Sequence, residues 1–239
     1  MAQRPSSHQL LIGSVPVEVT HKPINNLHLS VVPPDGSVRI SAPLGMSPEH
    51  VRAYAIGKLA WIRRQQARFS AQPRETPRLV VERESHRLWG QRLLLHIEER
   101  PAPPRVDRQP RRLVLGVRPG TSPERRRALL EQWFRQELRR QAQDPLDRWA
   151  TALAVQPQRL FVQAMTRRWG SCTPRSGNLR LNTRLVHAPP DCLDYVVLHE
   201  LCHLRVRNHG PVFQALLDQH MPLWRERRRL LAAEPLLAA

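Results

Sequence analysis

The chain has little cysteine, almost no lysine and no long apolar run, and each shortage removes a class of protein. Its 3 Cys include no CxxC pair, so neither a disulfide framework nor a cysteine-only metal site is expected. A reducing cytoplasm is the expected compartment. No window approaches the ~18 consecutive apolar residues of a membrane-spanning helix. The opening stretch MAQRPSSHQLLIGSVPVEV lacks the apolar core and small-residue cleavage site of a signal peptide, so export by that route is not expected. No internal repeat and no long low-complexity tract stand out.

The scarcity of lysine shapes the charge. Only Lys22 and Lys58 are lysines among 38 Lys+Arg, and with 23 Pro this resembles a broad compositional bias toward arginine. Set against 20 Asp+Glu, the formal net charge is +18. A field of that sign attracts acidic partners such as nucleic acid. The arginines run from Arg4 to Arg229 rather than gathering in one arm, which also fits a solvated basic surface. At 239 residues, 41% hydrophobic and with 6 Trp, the chain can bury a real core in one or two domains.

Residues 1–117 read as a β-rich N-terminal region with one long helix. Leu27–Val32 and Ser37–Ala42 alternate on either side of Pro33-Pro34-Asp35-Gly36, the pattern of a hairpin. Ser47-Pro48-Glu49 supplies an N-cap, a proline at the first helical position and an early acid. That predicts a helix to about Ser70 with Val51, Ala55, Leu59 and Ile62 on one face. Residues 78–83 and 86–98 read as β, Arg100–Arg112 as an exposed Pro/Arg loop, and Leu113–Val117 as a last strand. From 118 to 239 the pattern is mainly helical. Ser122-Pro123-Glu124 repeats the helix start, Leu129, Trp133, Phe134 and Leu138 form a stripe, and Pro145 marks an interruption. Leu160–Met165 and Asn178–Asn182 read as strands, and Asp191 as the N-cap of a helix beginning near Cys192. The fold class is α+β.

That helix carries the chemistry. His199 and His203 are four residues apart, which puts both imidazoles on one face, one turn apart. The spacing lets two nitrogens meet one zinc at ~2.0–2.1 Å. Glu200 is displaced round the helix, where it can reach a metal-activated water without taking a ligand position. This HExxH arrangement is that of metallopeptidases with the glutamate as general base. Val196, Val197, Leu198, Leu201 and Leu204 surround the pair, and burying two unpaired histidines among them would be costly without a metal. A catalytic zinc takes three protein ligands. His209, just before Gly210-Pro211 where the chain can fold back, is the best third; His187, Asp218, His220, Glu226 and Glu234 are other candidates. Cys202 points off the histidine face and reads as a small buried residue.

Arg168-Trp169-Gly170-Ser171-Cys172, Leu181-Asn182, Pro189-Pro190, Asp194-Tyr195-Val196-Val197, His199-Glu200-Leu201-Cys202-His203 and Asn208-His209 together resemble the YgjP-like metallopeptidases, relatives of the SprT and Spartan-like zinc proteases. The N-terminal region, with Ala42-Pro43-Leu44-Gly45 and Trp61-Ile62-Arg63, is similar to that family as well, so the resemblance covers nearly the whole chain. It implies Zn2+ held by His199, His203 and His209 in a zincin-like catalytic domain over 118–239. It further implies hydrolysis of peptide bonds through a zinc-activated water with Glu200 as general base, acting on a peptide or protein substrate. Gly210 and Gln214 depart from the family pattern NHSxxFW, whereas Phe213 fits it; Val206 stands where the metzincin pattern has Gly. If the Trp169–Cys172 segment borders the site, Arg167, Arg168, Ser171 or Asn182 could donate to the oxyanion. The alternative expectation is a basic, DNA-associated protease or a metal-dependent scaffold acting on nucleic-acid-bound proteins; no membrane partner is expected.

Overall fold

The computed structural model describes residues 7–33, 35–71, 74–75, 78–166, 168–234 and 236–237, and these fall into two compact units. In the first unit, alternation makes a one-sided sheet. Val15, Val17 and Val19 of β2 (Val15–Lys22) are buried, and so are Val38, Ile40 and Ala42 of β4 (Ser37–Pro43), while Glu18 and Arg39 between them face water. Side chains on successive residues point to opposite faces, so one hydrophobic set lands on one side. β1 (Ser7–Ile12) and β3 (His28–Val32) flank this pair in the order β1-β2-β4-β3, with a parallel centre and antiparallel edges. The hairpin expected between residues 27 and 42 is therefore present as β3–β4; its Pro34 lies outside the described residues. Over the sheet lies α1 (Pro48–Gly57), continued by α2 (Leu59–Ala71). Ser47 caps it by accepting a hydrogen bond from the His50 N–H. Val51, Ala55 and Ile62 seal the core, each aliphatic burial stabilising by about 1.5–3 kcal/mol for the larger side chains. β5 (Arg74–Glu75) pairs in parallel with Leu236–Leu237.

The second unit, Arg78–Glu234, repeats the same opening topology. β6 (Ser85–Leu88), β7 (Gln91–Glu99), β8 (Arg105–Arg108) and β9 (Arg112–Val117) pair in the order β6-β7-β9-β8, again with a parallel centre and antiparallel edges. Each sheet begins with a two-residue hairpin in which a glycine takes positive φ, Gly13 at 60° and Gly90 at 78°, as the twist-compatible primed turns require. Each sheet is followed by a helix with a Ser-Pro-Glu start, here α3 (Pro123–Gln141), capped by Ser122 on the Arg125 N–H. The expectation of no internal repeat is thus corrected at the level of topology. Strand pairing is duplicated while the side chains, apart from the Ser-Pro-Glu helix starts, differ, so little of the repeat shows as sequence self-similarity.

Three further expectations are corrected. Arg100–Arg112 is not all loop. β8 is an edge strand whose Arg105, Asp107 and Arg108 keep the charge that edge strands use against aggregation, and such charge reads as loop in sequence. The helical break falls at Ala142, before α4 (Gln143–Ala152), and Pro145 sits in the first turn of α4, where a missing N–H is harmless. The division between units falls near residue 77 rather than at 117/118, because Leu93, Leu95, Leu113 and Leu115 of the second sheet share one core with the helices that follow. Beyond α4, β10 (Leu160–Gln163), β11 (Gly170–Thr173) and β12 (Asn178–Asn182) form a small sheet in the order β10-β12-β11. A 3-10 turn (Thr183–His187) leads into α5 (Pro190–Cys202), followed by α6 (Pro211–His220) and α7 (Trp224–Ala233). Among the described residues, no helix is long and apolar enough to cross a membrane.

Candidate metal centre

α5 begins two residues earlier than a cap at Asp191 would place it. Pro189 is the N-cap residue, Pro190 opens the helix, and Asp191 lies in the first turn, where its charge complements the helix dipole. Proline at the first position needs no side-chain cap for its own missing N–H. The helix is buried along most of its length, with Cys192, Leu193, Tyr195–Leu198 and Glu200–Cys202 all inside. Only packing on several sides can hold such an apolar helix, and that packing fixes the direction of its polar residues.

After Cys202 the chain tightens, with the His203 N–H bonded to Glu200 O and the Val206 N–H to Cys202 O. Gly210 and Pro211 then start α6, and the reversal returns His209 to α5. His199, His203 and His209 offer one nitrogen each, all within 4.8 Å of one another, and the Nε2 atoms of His199 and His209 are 3.1 Å apart. Ligands on a tetrahedral zinc with ~2.0–2.1 Å bonds stand about 3.3 Å apart, so the donor set fits one metal ion. Burial, together with the neighbouring His203, His209 and Arg228 charges, pushes His199 down to about 3; burial lowers His203 too. Neutral imidazole is the form that gives a lone pair to a metal.

The ring orientations have visible causes. Phe213, 1% exposed, lies against all three imidazoles with centroid separations of 4.9, 4.8 and 4.8 Å. His203 Nδ1 donates to Val206 O at 3.2 Å, and the Tyr195 hydroxyl stands 3.4 Å from His199 Nδ1. Partners on the far nitrogen fix which nitrogen faces the metal. Gln214, one of the two departures from the family pattern, donates to His209 O at 3.4 Å. A Cβ on Gly210, the other departure, would meet nothing within 4 Å.

Glu200 is 6% exposed, and burial raises it to about 7 against the lowering effects of the Arg168 charge and a hydrogen bond from the Cys172 N–H. β11 runs directly beside it. A Cβ on Gly170 would stand 2.7 Å from Glu200 Oε1, 2.8 Å from its Cγ and 2.9 Å from Val196 Cγ1. Glycine is needed here for close approach rather than for an unusual φ.

Among the other third-ligand candidates, His187 Nδ1 is bound to Arg87 O, His220 packs against Trp149, Asp218 accepts from Trp224 and Arg225, and Glu234 pairs with Arg87. None of these, nor Glu226, belongs to the histidine cluster. Of the oxyanion candidates, Arg167 lies outside the described residues. Asn182 is already committed, donating to Met165 O at 2.8 Å and Arg168 O at 2.7 Å while capping the 3-10 turn through Arg184 N. Ser171 pairs with Arg180 on the face of the sheet away from Glu200. Arg168 alone has a charge that acts on Glu200. Sequence reading assigned no individual role to Tyr195 or to Gly170; their positions four residues before His199 and two before Cys172 were the available signals.

A family model described as "YgjP-like, metallopeptidase domain" matches residues 26–234. No curated protein matches the chain. Among solved structures, the chain is similar to the metallopeptidase zymogen jannalysin of Methanocaldococcus jannaschii, at 23% identity over 38% of this chain and 92% of that one, with a TM-score of 0.34. It is also similar to the metallopeptidase zymogen abylysin of Pyrococcus abyssi, at 16% identity over 41% and 99%, with a TM-score of 0.36.

Proposed function

This chain belongs to the YgjP-like metallopeptidases, and from that premise we propose that its metal is zinc, held by His199, His203 and His209, with Glu200 as general base in peptide-bond hydrolysis. The observation that carries the reading is the convergence of three imidazole nitrogens within 4.8 Å beside one buried carboxylate. Zinc at such a site supplies Lewis acidity to the scissile carbonyl and to the attacking water.

The protein's own groups do the rest. Glu200 accepts the proton of the attacking water and passes it to the leaving amine as the C–N bond breaks. Its raised proton affinity, from burial, suits a group that must both take and return a proton near neutral pH. The Cys172 N–H holds one carboxylate oxygen, so the base does not have to be ordered anew in each turnover. The far-side partners of His199 and His203 keep Nε2 of the first, and the matching nitrogen of the second, turned toward the metal. A third imidazole from a separate element, His209, ties the start of α6 to α5.

The test is Glu200→Gln. It is expected to keep its metal and its fold while peptide turnover falls by about 10²–10⁴-fold, the usual range for a positioned general base. Turnover within a factor of two of wild type would remove Glu200 from the mechanism.

A further inference from the structure

From His50 to Ala71 the sequence contains no Asp or Glu and five cations, Arg52, Lys58, Arg63, Arg64 and Arg68. That stretch builds nearly all of α1 and α2 in the first unit. Exposed arginines elsewhere are neutralised where they stand, as Arg39 is by Glu18 and Arg225 by Asp218. Among the described residues, the five cations of α1 and α2 enter no ion pair, and all five are exposed.

Helical spacing gathers part of this charge into one row. Tyr54, Lys58, Trp61, Arg64 and Arg68 follow one another at intervals of four, three, three and four residues, the steps that keep side chains on one side of a helix. The hydrogen-bond ladder passes through the junction at Lys58, whose N–H bonds to Tyr54 O at 3.2 Å and whose carbonyl accepts from the Ile62 N–H at 2.9 Å. α1 and α2 therefore present the row together, over about 20 Å at 1.5 Å per residue. Both rings in it are open to water, Tyr54 by 36% and Trp61 by 37%, and Lys58 Nζ stands 5.9 Å from the Tyr54 ring centroid. Rings and unpaired cations are thus interleaved on one water-facing row, while Val51, Ala55 and Ile62 are used up in the core.

We propose that this row on α1 and α2 binds single-stranded nucleic acid, with Tyr54 and Trp61 stacking bases and Lys58, Arg64 and Arg68 holding the phosphates that run past them. Every base has a π face, so stacking tolerates any sequence, and a cationic row along the backbone supplies the rest of the affinity. A duplex keeps its bases stacked on one another and leaves the two rings nothing to stack on. An acidic peptide would satisfy the cations and give the rings no role. A lipid surface is disfavoured because interfacial helices insert an apolar face, and here that face is already inside the first unit. Binding at this row uses no residue of the second unit, so its failure and that of the peptidase reading are distinguishable.

The full-length chain is titrated into fluorescein-labelled oligo-dT of about 12 nucleotides, a length within the range of single-strand sites. Fluorescence anisotropy is expected to show binding that weakens steeply with salt and is about ten-fold tighter than to a duplex of equal length. A merely cationic surface would favour the duplex, whose charge density is higher. Trp61→Ala should weaken oligo-dT binding about ten-fold, and Trp61→Phe, which keeps a ring, should recover most of it. Tyr54→Ala reads the same stacking at the other end of the row, and circular-dichroism melts establish that each variant is folded. Arg64→Gln with Arg68→Gln should lower the slope of log affinity against log salt by about 0.7 for each cation removed. Arg135→Gln with Arg139→Gln, two exposed arginines of α3, removes the same charge and should leave affinity within about two-fold, separating the row from the general positive field. Preference for the duplex, unchanged affinity in folded Trp61→Ala and Tyr54→Ala, or an equal loss in the α3 control overturns the proposal. So does binding to phosphatidylserine-containing vesicles that falls with Trp61→Ala while oligo-dT is not bound.

Discussion

Gly170 and Tyr195 show how much of the proposed site depends on residues outside its three-histidine set. Gly170 leaves room for Glu200 at a distance no Cβ tolerates. Gly170→Ala is therefore expected to displace the carboxylate and lower kcat by about 10²-fold, the effect of a misplacement near 1 Å, with zinc content unchanged by elemental analysis. Full activity in this variant would show that Glu200 relaxes at no cost. Tyr195→Phe removes the hydroxyl beside His199 Nδ1. Loss of such an outer partner typically costs about 10–100-fold in metal affinity, which competition with a chromophoric chelator would read. His199, Glu200 and His203 were legible in the sequence because helical spacing fixes their geometry, and His209 because Gly210-Pro211 announces a reversal. Gly170 and Tyr195 were not legible in role, since close approach and outer-shell contact depend on tertiary packing.

At the scale of elements, Asp194 is the joint of the catalytic unit. Standing on α5, it accepts from Trp149 Nε1 at 2.7 Å and from Arg148 on α4, and from Arg227 on α7 at 3.0 Å. Removing it strands three donors, two of them charged, and buried pairs broken on one side cost about 3–5 kcal/mol. Because the Asp194 side chain is 20% exposed, Asp194→Ala is expected to cost somewhat less, about 2–3 kcal/mol in chemical denaturation. A loss below 0.5 kcal/mol would mean that water replaces the carboxylate. Helix starts at Ser47 and Ser122 were readable because local side-chain capping sets them. The start of α5 was misplaced by sequence reading because Pro189 caps it with no side chain at all, and β8 was missed because charge on an edge strand mimics a loop.

For the whole molecule, the α+β class was visible in the alternation and stripes, but the duplicated sheet topology was not, because pairing order is a long-range property. His86 is 3% exposed, and burial, followed by the Arg78 charge, pushes it down to about 4 from 6.5 despite the opposing Glu84. The unfolded chain takes up this proton at a higher pH than the folded one. His86 therefore favours folding fully above pH 6.5, and that contribution falls away as pH drops toward 4. The whole effect amounts to about 3 kcal/mol at most. His86→Gln should flatten the decline in urea stability between pH 6.5 and 4, and an unchanged slope would assign the acid sensitivity to other groups.

Elemental mass spectrometry of wild type and His209→Ala, both purified without added metal, is the measurement that bears hardest on the proposal that His199, His203 and His209 hold the metal of this peptidase. About one zinc per wild-type chain, lost or sharply reduced in the variant, is the predicted result, since a three-ligand site deprived of one ligand falls below what catalytic zinc requires. Wild-type protein that carries no metal even after zinc is supplied would contradict it.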